Sequence, residues 1–139
     1  MDVIVLIGRI LFSILFLGAA FGHLTQTANM AGYAKTKGVP VAQASVLVSG
    51  VLILFGGLSI LLGVWADLGA LAIVVFLVPT ALLMHAFWKE TDAMAKQMEQ
   101  TQFLKDTALA GAALMLFAFF AYVGNDLGLT LTGPLFDLF

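Results

Sequence analysis

The segment ASVLVSGVLILFGGLSILLGV, which spans residues 44–64, contains no ionisable side chain. A helix crosses the hydrocarbon core of a bilayer with roughly 20 apolar residues, so this segment is long enough to span a membrane once. Its apolar residues surround the expected helix on every side, as is typical where lipid replaces water. The alternation of apolar and polar residues that marks a membrane β-strand does not occur in it. We therefore predict a transmembrane helix.

Three further segments have the same character: residues 3–24, 68–88 and 107–124. The chain of 139 residues is 62% hydrophobic and 10% charged, whereas about a quarter of the residues in a soluble domain are charged. The first segment lacks a basic leader and contains Arg9, so we expect a retained helix and not a cleaved signal sequence. The sequence predicts an all-α integral membrane protein, a four-transmembrane-helix bundle that forms a single domain over residues 1–139.

Several classes of chemistry are not supported by this sequence. The chain has no cysteine, which excludes disulfides, thiol redox chemistry and iron–sulfur ligation by its own residues. A net charge of −2 without a basic patch does not suggest nucleic-acid binding. No P-loop, dinucleotide fingerprint or nucleophile elbow occurs. Two histidines alone make a weak metal site, so we predict no metal site, no catalytic residue and no covalently bound cofactor.

The lysines indicate how the bundle is oriented. They fall in the two loops at residues 25–43 and 89–106, and they are Lys35, Lys37, Lys89, Lys96 and Lys105. The side that holds the termini instead carries acidic residues, Asp2, Asp67, Asp126 and Asp137. Because basic loops tend to stay in the cytoplasm, we predict that both loops are cytoplasmic and both termini are outside. Arg9, near the outer end of the first helix, weakly opposes this orientation.

The second of these loops has a pattern of its own. Met94 and Met98 are four residues apart, and Asp92 and Lys96 can pair at the same spacing. This pattern predicts a short amphipathic helix on the membrane surface between the third and fourth transmembrane helices. A surface that docks a partner protein is the alternative interpretation.

Small residues indicate where helices approach one another closely. Gly18 and Gly22 form a GxxxG step, and Gly56, Gly57 and Gly63 lie in or beside the second helix. Such residues let membrane helices pack without a hydrophobic driving force. Internal packing of the bundle is the favoured interpretation, and a dimer interface is the alternative.

Arg9 is the charged residue placed deepest in an expected span. A charge in hydrocarbon costs at least a few kcal/mol, so such a residue faces the bundle interior or reaches the interface with its long side chain. As an internal anchor, Arg9 needs a partner, and the candidates are Ser13, Ser49, a backbone carbonyl, lipid or a second protein.

Two histidines end helices on the same side of the membrane, His23 on the first and His85 on the third. We predict that they converge on a pocket with Tyr33, Thr80 and Trp88, beside a bend at Pro79. Neutral histidine donates to a quinone carbonyl or accepts from a quinol hydroxyl, and aromatic rings stack on the head group. The pocket would therefore hold the head group of a quinone or lipid. In the alternative interpretation both imidazoles are simple interfacial caps.

The order of several short motifs resembles the DoxX family of small prokaryotic membrane proteins over nearly the whole chain. These motifs are Gly8-Arg9-Ile10 with Leu15-Phe16-Leu17, Gly32-Tyr33-Ala34 with Lys37-Gly38-Val39-Pro40, Gly56-Gly57-Leu58 with Leu61-Leu62-Gly63, His85-Ala86-Phe87-Trp88, and Phe103-Leu104-Lys105-Asp106 before Ala108-Leu109-Ala110-Gly111. Family members commonly have lysine where this chain has His23, and glutamate where it has Ile53. An arginine–glutamate pair is thus not expected here.

The resemblance implies a link to quinone-dependent oxidoreductases, among them thiosulfate:quinone and terminal quinol oxidase assemblies. We expect an accessory subunit of such a complex in a prokaryotic inner membrane, in contact with lipid and with a membrane-protein partner or a second copy. Quinone or lipid would be a noncovalent ligand. A small transporter or lipid-handling protein, and a stand-alone quinone-dependent oxidoreductase, are the alternatives.

Overall fold

The computed structural model describes residues 1–136 and 138, so Asp137, counted above among the acids near the C-terminus, lies outside the described residues. Five α-helices and two short 3-10 turns follow one another: α1 Asp2–Thr25, α2 Thr27–Thr36, α3 Ala42–Leu62, α4 Ala66–Met84, the turn Phe87–Lys89, α5 Ala93–Val123 and the turn Gly124–Asp126. Four of these helices, α1, α3, α4 and α5, are long and apolar enough to cross a membrane. The predicted four-helix membrane bundle is confirmed.

Helix α5 corrects the prediction for the second loop. Residues 93–106 are helical, as expected, but they continue without a break into the fourth crossing and do not form a separate interfacial helix. Asp92 begins this helix, because its carboxylate accepts a hydrogen bond from the Ala95 backbone N–H over 2.8 Å. At 1.5 Å per residue α5 is roughly 46 Å long, whereas the hydrocarbon core is about 30 Å thick. Its first turns therefore project beyond the core.

Helix α2, in the first lysine-bearing loop, was not predicted. It packs on α3 through a small apolar cluster of Ala31, Ala34 and Val46. A break at Gln26 separates it from α1, and the left-handed backbone of Gly38 and Val41 separates it from α3. Because α2 has only ten residues and a weak apolar face, its sequence does not distinguish a helix from a loop.

The core of the bundle combines large side chains with glycines at helix crossings. Phe16, Ile53, Ile60 and Ile73 are among its fully buried members. A Cβ added at Gly56 would lie 2.7 Å from the Ile73 Cδ1 atom and 3.0 Å from the Gly69 carbonyl oxygen, so a side chain there would force α4 or the Ile73 side chain to shift. Close packing of small residues thus joins α3 to its neighbour, as membrane bundles require.

The glycines of α1 differ from those of α3. A Cβ at Gly18 would have no atom within 4 Å, and a Cβ at Gly22 would touch Met30 at 3.9 Å. Gly18 is exposed on the outside of the bundle. The interpretation of the GxxxG step as internal packing is therefore wrong for Gly18, because this face of α1 turns away from the other helices.

Candidate functional site

Arg9 lies inside the bundle at the end that holds both termini, with 2% of its surface exposed. Its Nε donates to the carbonyl of Ile60, its Nη2 to that of Leu61 and its Nη1 to that of Leu129, each over 2.7 Å. Two of these carbonyls belong to the last turn of α3, where carbonyls lack helical donors and the helix dipole favours a cation. Backbone carbonyls therefore hold the buried charge.

The two serines offered as partners for Arg9 do not bind it. Ser13 is fully buried, and its Oγ is the one buried side-chain polar atom without a hydrogen-bond partner in the described part of the chain. Ser49 lies against His23 instead, with its Oγ 2.8 Å from Nδ1 of the ring. Of the candidate partners, backbone carbonyls are the ones that bind Arg9, because those at the end of α3 have no helical donors of their own.

A second buried ionisable side chain lies at the same end: Asp67, which the sequence indicated only as one of the acids on the side of the termini. Its carboxylate is fully buried and accepts the backbone N–H of Leu135 over 2.9 Å and that of Phe136 over 2.7 Å. Together with the bond from Arg9 to Leu129, these contacts fasten residues 127–136 across the end of the bundle. The sequence signal was present, because Asp67 is an acidic residue in the first turn of α4.

The opposite end of the bundle contains a cavity of about 700 Å³ between α1, α2, α3 and α4. Of the five residues predicted to share a pocket, His23, Tyr33, Thr80 and His85 line it. The remainder of the wall is mainly apolar. Trp88 does not line it, because its ring packs edge-on against Phe87 and Phe103 at centroid distances of 5.3 and 5.7 Å. The predicted residues therefore converge, apart from Trp88.

His23 is held at the wall of this cavity by α3. Its Nδ1 lies 2.8 Å from the Ser49 Oγ and 3.3 Å from the carbonyl oxygen of Val46. On its other side the ring packs edge-on against Phe76, with centroids 5.8 Å apart. These contacts fix the plane of the imidazole.

His85, at the end of α4, is placed between two carboxylates of α5. Its Nδ1 lies 2.7 Å from the Glu99 Oε2, and its Nε2 lies 3.6 Å from the Asp106 Oδ2. Neither acid was proposed as a site residue from the sequence, because both belong to the segment that was predicted to form a separate helix on the membrane surface. Their proximity to His85 follows from the continuity of α5 with the fourth crossing.

Lys37 completes a group of ionisable side chains that we call the Glu99 cluster: Lys37, His85, Glu90 and Glu99. The Lys37 Nζ lies 2.8 Å from the Glu99 Oε1 and 3.0 Å from the Glu90 Oε1. The hydrogen bond to Glu99 raises the pKa of Lys37 well above its usual range, although partial desolvation lowers it. The Tyr33 hydroxyl also donates to Glu99, over 3.4 Å. The cluster therefore ties α2, one wall of the cavity, to α5.

The sequence model of the DoxX family matches residues 4–86, from the first turn of α1 to just beyond α4. The chain belongs to the DoxX family. It is also 33% identical over 115 residues to "Inner membrane protein YqjF" of Escherichia coli (strain K12), a match that covers 83% of this chain and 82% of that protein. No solved structure matches the chain significantly.

The DoxX match includes some parts of the two sites and not others. Arg9, His23 and His85 lie within the matched residues, whereas Glu99 and Asp106 lie beyond them. Ile53 is fully buried in the apolar core. Among the described residues, no three histidine or acidic side chains stand close enough together to hold a metal ion.

Proposed function

We propose that this DoxX protein binds the head group of a membrane amphiphile, a quinone or a lipid, in the cavity between α1, α2, α3 and α4. We further propose that it serves as an accessory subunit of a quinone-linked redox complex. The observation that carries the first proposal is the placement of His23, Tyr33, Thr80 and His85 on the wall of one largely apolar cavity. Binding sites for small molecules commonly combine an apolar wall with a few polar groups.

A place for an apolar tail adjoins the cavity. A shallow groove along α3, lined by Leu47, Val48, Val51, Leu52 and Phe55, shares Val48 and Leu52 with the cavity wall. From Val48 to Phe55 the groove follows α3 for roughly 10 Å. Val48 and Val51 are more than half exposed, so the groove opens toward lipid. A head group in the cavity would therefore leave its chain along the outside of α3.

The accessory role is supported by the part of α5 that projects beyond the hydrocarbon core. Met94 and Met98 are 68% and 64% exposed there, and methionine-rich surfaces adapt readily to partner proteins. With no cysteine in the chain, we assign electron transfer to a partner and ligand binding to this protein. The lysines of α2 and α5 support an orientation in which this end faces the cytoplasm.

The binding proposal can be tested by blocking the junction between cavity and groove. Val48→Trp places a large side chain there without entering the core, because Val48 is 67% exposed; Val3→Trp makes the same change on α1, at a site 62% exposed. Both variants and the parent are extracted with their lipids in polymer-bounded particles, and bound quinones and lipids are measured by mass spectrometry. Val48→Trp should lose the enriched amphiphile, and Val3→Trp should retain it.

The same preparations test the accessory role. Redox subunits that remain with the parent protein through gentle purification would support it. An amphiphile enriched on a chain that carries no such subunits would contradict the accessory role and favour the lipid-handling alternative, for which the opening of the groove toward lipid is the supporting observation. Equal lipid and quinone content in the parent and Val48→Trp would contradict the binding proposal itself.

A further inference from the structure

The hydroxyl groups on the cavity wall have already used their hydrogens. Thr80 donates to the Phe76 carbonyl over 2.7 Å, Ser49 to the Val46 carbonyl over 2.9 Å, and Ser45 to the Pro40 carbonyl over 2.7 Å. A hydroxyl has one hydrogen and two lone pairs. With that hydrogen committed to the backbone, each of these oxygens can only accept a further hydrogen bond.

The contacts of His23 likewise leave its ring without a free hydrogen for a ligand. Its Nδ1 faces the Val46 carbonyl, which can only accept, and the Ser49 oxygen, whose hydrogen is directed to that same carbonyl. Because the Val46 carbonyl can only accept, its contact with Nδ1 is a hydrogen bond in the neutral tautomer whose hydrogen lies on Nδ1, and in that tautomer Nε2 keeps a lone pair. Within the described residues Nε2 makes no hydrogen bond. The ring consequently offers an acceptor.

The remaining polar groups of the wall, apart from Asn29, likewise have no hydrogen left to donate to a ligand. The Tyr33 hydroxyl donates to Glu99, and either nitrogen of His85 that carries a hydrogen faces a carboxylate. Pro79 adds an acceptor, because it has no N–H to donate and so leaves a carbonyl of the preceding turn of α4 without its helical hydrogen bond. Asn29 retains an amide donor, and it is an exposed residue on the wall.

From this distribution we infer that the cavity selects an amphiphile whose head group is an uncharged hydrogen-bond donor, a hydroxyl, over one that only accepts. The inference rests on the proposed function and narrows it: of the two forms of a quinone, the cavity suits the reduced form with its hydroxyl groups. A carbonyl placed against the same wall would meet acceptors, and would lose its hydrogen bonds to water without replacement.

Charged head groups fit this cavity less well. Three carboxylates, Glu90, Glu99 and Asp106, surround Lys37 and His85 at its edge. A phosphate or carboxylate head group would be repelled by this excess of negative charge. An ammonium group would have to leave water for a mainly apolar cavity, which is costly without a paired charge inside it.

Three probes of similar shape test the inference on the full chain in lipid nanodiscs. Para-decylphenol carries the donor, para-decylanisole replaces its hydrogen with a methyl group, and para-decylbenzenesulfonate is an anion. Each competes with radiolabelled para-decylphenol, and its concentration is expressed per bilayer lipid to remove differences in partitioning. We expect the phenol to bind about tenfold more tightly than the anisole, equivalent to about 1.4 kcal/mol, and the sulfonate to bind most weakly.

Two threonine variants provide a matched comparison. Thr80→Val removes an acceptor from the wall, whereas Thr107→Val removes an exposed hydroxyl that makes the same bond to the preceding turn, to Phe103 over 2.8 Å. The preference for phenol should fall in Thr80→Val and in His23→Leu, and should stay unchanged in Thr107→Val. If the anisole or the sulfonate binds as tightly as the phenol, the inference is wrong while the binding site stands. If none of the probes binds, the proposed function is wrong as well.

Discussion

Arg9 and Leu129 are 120 residues apart in the chain, yet the Arg9 guanidinium donates to the Leu129 carbonyl over 2.7 Å. The same side chain reaches the end of α3 through Ile60 and Leu61. One buried cation therefore joins the first helix, the end of α3 and the last segment of the protein.

Replacing Arg9 should consequently destabilise the whole terminal end. Arg9→Leu leaves three carbonyls without their donor, and we expect a loss of about 2–4 kcal/mol in the free energy of unfolding. Thermal unfolding in detergent measures this as a lower Tm. Lys35→Leu, at an exposed position of α2, is the control for loss of one positive charge. A Tm equal to the parent's would show that Arg9 is not an anchor.

Asp67 should hold the C-terminal segment independently of Arg9. Asp67→Asn retains one acceptor oxygen for two backbone N–H donors, so we expect a loss of about 1–3 kcal/mol. Hydrogen exchange at residues 127–136 should accelerate, and exchange in α3 should not. Asp126→Asn, at an exposed acid in the same region, should leave exchange as in the parent. Slow exchange in both variants would contradict the role given to Asp67.

Lys37 should close α2 onto α5 through Glu99. In a double-mutant cycle, Lys37→Met and Glu99→Gln should together cost less than the sum of the single changes, with a coupling of roughly 1 kcal/mol for partly exposed charges. Because the pKa of Lys37 is raised in the folded protein, its stabilising contribution is complete below the ordinary lysine pKa and is lost as pH rises beyond it. The Tm difference between parent and Lys37→Met should therefore be constant from neutral pH to about pH 10. Additive effects would contradict the contact.

The glycines of α1 and α3 should respond oppositely to substitution. Gly56→Ala forces a Cβ against Ile73 and the Gly69 carbonyl, and overpacking of this kind costs about 1–3 kcal/mol. Gly18→Ala meets no atom, so the monomer should be unaffected or slightly stabilised by the better helix propensity of alanine. Tm and apparent mass in detergent are the measurements. A fall in mass for Gly18→Ala would instead reveal the dimer interface.

The orientation in the membrane can be measured with single cysteines, since the chain has none of its own. Gln97 and Leu129 lie at opposite ends of the bundle, and both are exposed. The lysine distribution predicts that an impermeant thiol reagent labels Leu129→Cys in intact cells and leaves Gln97→Cys unlabelled until the cells are opened. The reverse pattern would invert the orientation.

The sequence predicted the four crossings correctly, because the length of each apolar segment determines whether it can span the membrane. The predicted helix 44–64 differs from the observed α3 by two residues at each end. The sequence did not suffice for the start of α5. The polar residues from Asp92 onward indicated a separate helix on the membrane surface. The Asp92 cap and the absence of proline and glycine from residues 92–106 instead favour one helix that continues into the crossing.

The sequence predicted which residues of the two sites lie at the same end of the bundle, but it did not predict their bonding partners. The order of the crossings placed His23 and His85 at one end, because the first and third helices end on the same side, and both line the cavity. The partners of Arg9, Asp67 and Lys37 depend on how segments far apart in the chain fold against each other. No local pattern predicts that Leu129 returns to α1 or that Lys37 reaches Glu99.

The closure of one end by residues 127–136 makes the molecule asymmetric with respect to the two leaflets of the bilayer. The cavity and its groove lie in the half of the bundle away from this closure. An amphiphile in the leaflet beside α2 can therefore reach the cavity by lateral diffusion, whereas the same molecule in the opposite leaflet must first cross the bilayer.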